Sequence, residues 1–215
     1  MTHIPLASAV TSDLLKTHGS PLFVVTESVL RQTFCDFSRA FVTPEFPVHV
    51  AFSYKTNYLP AICAILREEG AWAEVVSGLE YCLARRLGNT PGEIIFNGPW
   101  KTRNELEAAL FEGACVVLDN FDELSTVESI ASGLDLNRPA RIGIRLACNT
   151  GGPRGNAPRE NGKTDWSRFG FAPDDVARVL ERIVAHSSLS LHMLHSHCGT
   201  NLGDPYVYGA AAARL

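Results

Sequence analysis

Lys55 and the histidines His192, His195 and His197 are the residues whose types and spacing suit covalent or acid–base chemistry. Lys55 lies in Phe52-Ser53-Tyr54-Lys55-Thr56-Asn57, where an apolar run from Val48 to Tyr54 ends. A lysine held partly out of water at a strand end can present a neutral amine to a carbonyl carbon. Position alone also suits a solvated lysine with no chemical role. The histidines fall in Leu191-His192-Met193-Leu194-His195-Ser196-His197-Cys198-Gly199-Thr200. With the period of two of an extended chain, His195 and His197 share a face, where they could ligate zinc or set an imidazole over a planar ring. A zinc site wants a third ligand, and the sequence does not point to one. Histidines satisfied locally on a strand are the plain alternative. Gly199 and Thr200 follow, where backbone N–H groups and a hydroxyl could meet an anion such as phosphate.

Short apolar runs that alternate with amphipathic stretches must position these residues. Strands are expected at Val48 to Tyr54, Trp72 to Val76, Ile94 to Phe96, Cys115 to Leu118, Arg141 to Leu146 and Leu189 to Leu194. Pro60 suits a first helical position, Gly70, Gly88 and Gly113 sit where helices end, and Ser77/Glu80 and Thr102/Glu105 have capping-box spacing. Strands alternating with helices imply βαβ units and a parallel sheet, and near-continuous apolar strands imply burial on both faces. In a parallel barrel the C-terminal strand ends carry the chemistry, which is where Lys55 and His197 would stand. The class is α/β. Residues 19 to 25 read as an extra strand, and the polar loop from Asn149 to Asp165 as a mobile stretch, either a functional lid or a disordered segment. Tyr206 to Leu215 reads as a helix without a stop signal.

Composition narrows the function classes. Net charge is −4 and the 19 Lys and Arg residues are scattered, so no basic stripe suits a nucleic acid. No stretch approaches the roughly twenty apolar residues of a membrane helix, and the N-terminus has no leader pattern, so a cytoplasmic protein is expected. The 6 cysteines form no C-x-x-C pair, which suits reduced, packed thiols.

The chain resembles the fold-type III pyridoxal-phosphate-dependent decarboxylases, a family that includes the diaminopimelate, ornithine and arginine decarboxylases. The resemblance runs from His18-Gly19-Ser20-Pro21-Leu22-Phe23-Val24-Val25 through Tyr54-Lys55-Thr56-Asn57, Glu74-Val75-Val76-Ser77-Gly78 and Ile94-Ile95-Phe96-Asn97-Gly98-Pro99 to Arg168-Phe169-Gly170 and His195-Ser196-His197-Cys198-Gly199-Thr200. It implies a partial eight-stranded α/β barrel of about six βα units, with the family's C-terminal β-domain absent. Lys55 would hold the cofactor covalently, His197 would stack on its ring, and Gly199 and Thr200 would meet its phosphate. Ser53 and Arg145 match positions near the cofactor, and Glu74 stands where the family usually has Asp. His-x-His is more like the diaminopimelate and arginine decarboxylases than ornithine decarboxylase, although Gly199-Thr200-Asn201 departs from their Gly-Ser-Gln.

The resemblance further implies decarboxylation of a basic or diamino amino acid, with residues 1–28 carrying a strand that would pair with the missing β-domain and residues 29–215 forming the incomplete cofactor-binding barrel. A truncated or partial form, inactive alone, is expected. Its partners would be a small amino-acid substrate and either a second copy of the chain or a complementary C-terminal half, with no nucleic acid and no membrane. Three other readings compete. An amino-acid racemase of the same fold type shares the lysine, but Thr56-Asn57-Tyr58-Leu59 fits its signature only at the asparagine. The others are a non-catalytic or decayed cofactor-binding protein, and a zinc-dependent hydrolase using His195 and His197.

Overall fold

The computed structural model describes residues 7–133, 138–147, 169–199, 202–213 and 215. Six strands, β1 (Ala51–Ser53), β2 (Trp72–Val75), β3 (Ile94–Phe96), β4 (Cys115–Leu118), β5 (Ala140–Leu146) and β6 (Leu189–Ser196), pair in sequence order, and every pairing is parallel. Helices α1 (Ser8–His18) and α2 (Glu27–Arg39) precede the sheet. Helices α3 (Pro60–Glu68), α4 (Gly78–Arg86), α5 (Arg103–Glu112), α6 (Phe121–Gly133), α7 (Val176–Ala185) and α8 (Tyr206–Ala212) each follow a strand in turn. This is a partial α/β barrel of six βα units.

The two faces of the sheet differ in chemistry. Ala73, Val75, Ile94, Phe96, Val116, Leu118, Ile142 and Ile144 are wholly buried and form one core with Tyr81, Leu106, Leu110, Leu124, Val127 and Ile183 of the helices. The alternate positions face inward. There the register sets Ser53 beside Glu74, Val117 beside Gly143, and Arg145 beside His195. Gly143 leaves no room for a side chain, since a Cβ would lie 3.0 Å from Val117 and 3.1 Å from Met193. The β5–β6 ladder shifts register between Ile142 and Gly143, where His192 is the extra residue.

Helix starts hold the loops beyond the strand ends. Thr102 and Glu105 form a full capping box, while Glu105 Oε1 also accepts the Gly78 N–H at 2.7 Å. Ser77 caps α4 through the Glu80 N–H as its spacing implies, but the Glu80 carboxylate reaches one residue further back, to the Val76 N–H at 2.8 Å. Glu123 of α6 repeats the device on the Asp119 N–H at 3.0 Å. Val76 and Asp119 are each the first residue past a strand. Glu123 is also paired with Lys101, whose side chain is 0% exposed and whose Nζ donates to the Gly98 and Val117 carbonyls at 2.7 and 3.0 Å. Burial pushes the Lys101 ammonium below its ordinary pKa, and Glu123 opposes that shift.

Two expectations meet a different outcome, and one helix was not anticipated. Residues 21–25 form no ladder, and Phe23 is 97% exposed; the segment pairs with neither edge of the six-stranded sheet. The first strand is shorter than expected, since Tyr54–Thr56 turns into a 3-10 helix fastened by Thr56 Oγ1 donating to the Ser53 carbonyl at 2.7 Å. Helix α1 carries no buried residue and gave no signal in the sequence reading. The polar loop expected at Asn149 to Asp165 lies outside the described residues.

Removing one partner of a buried ion pair strands the other charge, so Lys101→Met is expected to cost about 3–5 kcal/mol in chemical denaturation. The double replacement Lys101→Met with Glu123→Gln should recover part of that loss, because it removes the stranded charge along with its partner.

Candidate functional site

The polar inner-face residues gather at the C-terminal rim of the sheet, where the strands end and their side chains face one another. Ser53 Oγ donates to Glu74 Oε2 in a short hydrogen bond, and Asn97 Nδ2 donates to Glu74 Oε1 at 3.1 Å. The same Asn97 nitrogen lies 3.3 Å from His195 Nε2. That contact joins β3 to β6, which are not neighbours in the sheet, so the sheet curls across its inner face. Beside this chain, Arg145 Nη1 pairs with Asp119 Oδ1 at 3.0 Å, both side chains being buried. The Arg145 guanidinium also stands 4.9 Å from the Phe169 ring centroid. Phe169 is held there because the Phe171 N–H donates to the Arg145 carbonyl at 2.8 Å. Gly170 turns between them with a φ of 84°, where a Cβ would meet that carbonyl at 2.7 Å.

Lys55 and His197 stand at the same rim, Lys55 in the 3-10 turn after β1 and His197 as the first residue past β6. Both are exposed. The desolvation expected of Lys55 is therefore not provided by the described residues, because the inner face is open beside β1. His197 is held below its ordinary pKa by partial desolvation, then by the Lys55 and Arg145 charges, with Glu74 opposing. Burial, then Arg145, His197 and Lys55, push His195 down to about 4. His195 is thus a neutral imidazole among cations. Gly199 adopts a φ of 135°, a conformation that side chains rarely take, and Thr200 lies outside the described residues.

Of the residues singled out from sequence, Ser53 and Glu74 touch each other, Arg145 is bound to Asp119, and Lys55 and His197 share the rim. Asn97 and Asp119 were missed as site residues, although each is the first residue past its strand, the position that faces the site in a parallel barrel. Buried and without a hydrogen-bond partner among the described residues are Asn97 Oδ1, His195 Nδ1 and Ser196 Oγ. No group of three His, Cys, Asp or Glu residues converges on a metal-sized point among the described residues.

A parallel α/β sheet whose inner-face polar groups gather at its C-terminal rim has its candidate site where α/β-barrel proteins carry their chemistry. Within that class, residues 28–215 match the pyridoxal binding domain of the pyridoxal-dependent decarboxylases, and the chain belongs to that family. Its cofactor is pyridoxal phosphate. The chain is 30% identical over 205 residues to the diaminopimelate decarboxylase of Zymomonas mobilis, covering 94% of this chain and 48% of that protein. It is 29% identical over 216 residues to the enzyme of the same name from Halalkalibacterium halodurans, covering 99% and 48%. The crystal structure of a Helicobacter pylori diaminopimelate decarboxylase variant complexed with L-lysine superposes with a TM-score of 0.83 at 25% identity, over 95% of this chain and 50% of that one. The chain thus spans about half the length of these relatives.

The donor set fits such a cofactor. Lys55 offers a free amine, Arg145 and Gly199 offer donors suited to an anionic group, and the exposed His197 ring offers a flat face.

His195 makes stability depend on pH. Its folded value of about 4 lies below the ordinary value near 6.5, so the unfolded chain takes up the proton first. The contribution is complete above about pH 6.5 and is lost as pH falls through about 4. Denaturation midpoints measured between those limits should fall with acidity, and His195→Gln should flatten part of that slope.

Proposed function

We propose that this chain is the cofactor-binding half of a pyridoxal-phosphate-dependent decarboxylase acting on a basic or diamino amino acid, with the diaminopimelate class first. The observation that carries the reading is the meeting of Lys55 and His197 at one rim of a parallel sheet, although they come from its two edge strands. The family match and the diaminopimelate decarboxylases among the relatives support the substrate class.

When bound, the cofactor supplies an electron sink for the pair left behind as CO₂ departs. Each residue then has a defined task. Lys55 Nζ would hold the cofactor covalently. His197 would offer its flat ring to it. Arg145, kept in place by Asp119 and Phe169, and the backbone at Gly199 with Thr200 would hold its anionic end. Glu74, oriented by Ser53 and Asn97, presents a carboxylate to the basic groups at the rim.

Added pyridoxal phosphate followed by borohydride should fix the label on a peptide containing Lys55, read by mass spectrometry, and Lys55→Ala should abolish it. His197→Ala should weaken binding by about 0.5–1.5 kcal/mol without preventing the label, since stacking contributes that much beyond burial. A label spread over surface lysines would overturn the assignment.

A further inference from the structure

Asn97 occupies a position that neither Glu74 nor His195 can do without. Its amide nitrogen contacts the Glu74 carboxylate at 3.1 Å and the His195 ring at 3.3 Å. A carboxylate accepts and does not donate, so the amide must turn its NH₂ group, and not its oxygen, toward Glu74. That choice determines the second contact. An NH₂ group facing His195 Nε2 requires a lone pair on that nitrogen, which excludes both the imidazolium and the tautomer protonated at Nε2. The ring proton is left on Nδ1.

We propose that Asn97 is a positioning residue of the candidate cofactor site, one that donates an amide proton to Glu74 and another to His195, thereby aiming the carboxylate and locking His195 in its Nδ1–H tautomer. The surroundings agree. Arg145 on β5, His197 just past β6 and Lys55 after β1 all disfavour a charged His195, and Glu74 is reached through Asn97 itself. The lock leaves the acceptor Asn97 Oδ1 and the donor His195 Nδ1 as buried atoms without partners among the described residues. Unpaired buried polar atoms favour any state that satisfies them. An unpaired donor and an unpaired acceptor suit a ligand that carries both an anionic oxygen and a protonated nitrogen, as an amino acid does. The link to that ligand rests on the proposed function; the tautomer does not.

Two readouts on the full chain separate these claims. Nitrogen-15 NMR of histidine-labelled protein, with His195→Gln for assignment, should show His195 as the neutral Nδ1–H tautomer at pH 7. Asn97→Asp replaces the donor by an acceptor, so the ring proton should move to Nε2 and the His195 titration should rise by about one to three pH units. A wild-type ring protonated at Nε2, or a tautomer unchanged in Asn97→Asp, overturns the lock. Should that variant fail to fold, the wild-type spectrum still decides. In the second readout, pyridoxal phosphate affinity and borohydride labelling are measured on both proteins. Asn97→Asp should lose about tenfold in affinity while the label stays on Lys55. A switched tautomer with unchanged affinity overturns the positioning role. Absence of any Lys55 label in the wild type overturns the proposed function and leaves the tautomer assignment standing.

Discussion

A parallel sheet ends in backbone N–H groups that no neighbouring strand can satisfy, and these ends are where the site must be built. Glu80 and Glu123 answer that constraint by turning a buried carboxylate back from a helix start onto the first N–H beyond β2 and β4. Because a charge-assisted bond is short and directional, it fixes the backbone where a side chain leaves for the rim. Asp119 inherits its placement this way, and Arg145 inherits its own from Asp119. Lys101 ties the arrangement to the preceding loop by also holding the Gly98 carbonyl. The rim is therefore as rigid as the ionic framework beneath it.

This framework also explains the division of labour between the faces. Over β2 to β5 the outer face is apolar and closed over by helices, so it contributes burial, which is non-directional. The inner face carries hydrogen bonds that must be met one by one, and they are met in a chain from β1 through β2 and β3 to β6. Hydrophobic burial holds the strands in a sheet, and the polar chain selects how far that sheet curls.

Six strand positions and the parallel class were legible in the sequence because apolar runs of strand length alternate with well-punctuated helices. Lys55, His197, Ser53, Glu74, Arg145 and Gly199 were legible through motif order, and all lie toward the same end of the sheet. Asn97 and Asp119 were not, since a single Asn or Asp after an apolar run looks like an ordinary turn residue until register shows what it faces. Lys101 carries no local sign of burial, because its partner lies 22 residues away. The segment at 21–25 has strand composition but joins neither edge of the sheet, and composition cannot report pairing.

The extra residue in β6 has a larger effect than its size suggests. Side chains alternate along a strand, so inserting one residue into a ladder exchanges the faces of everything after it. Here the interruption at His192 restores Met193 opposite Gly143 and His195 opposite Arg145. In an uninterrupted β6, Leu194 and Ser196 would look into the barrel while His195 and His197 would look out at the helix layer. The identity of the inward surface is thus a matter of phase, set at one point and inherited by every residue downstream. A lineage could gain or lose this constellation by changing the spacing of the strand while keeping each of its side chains.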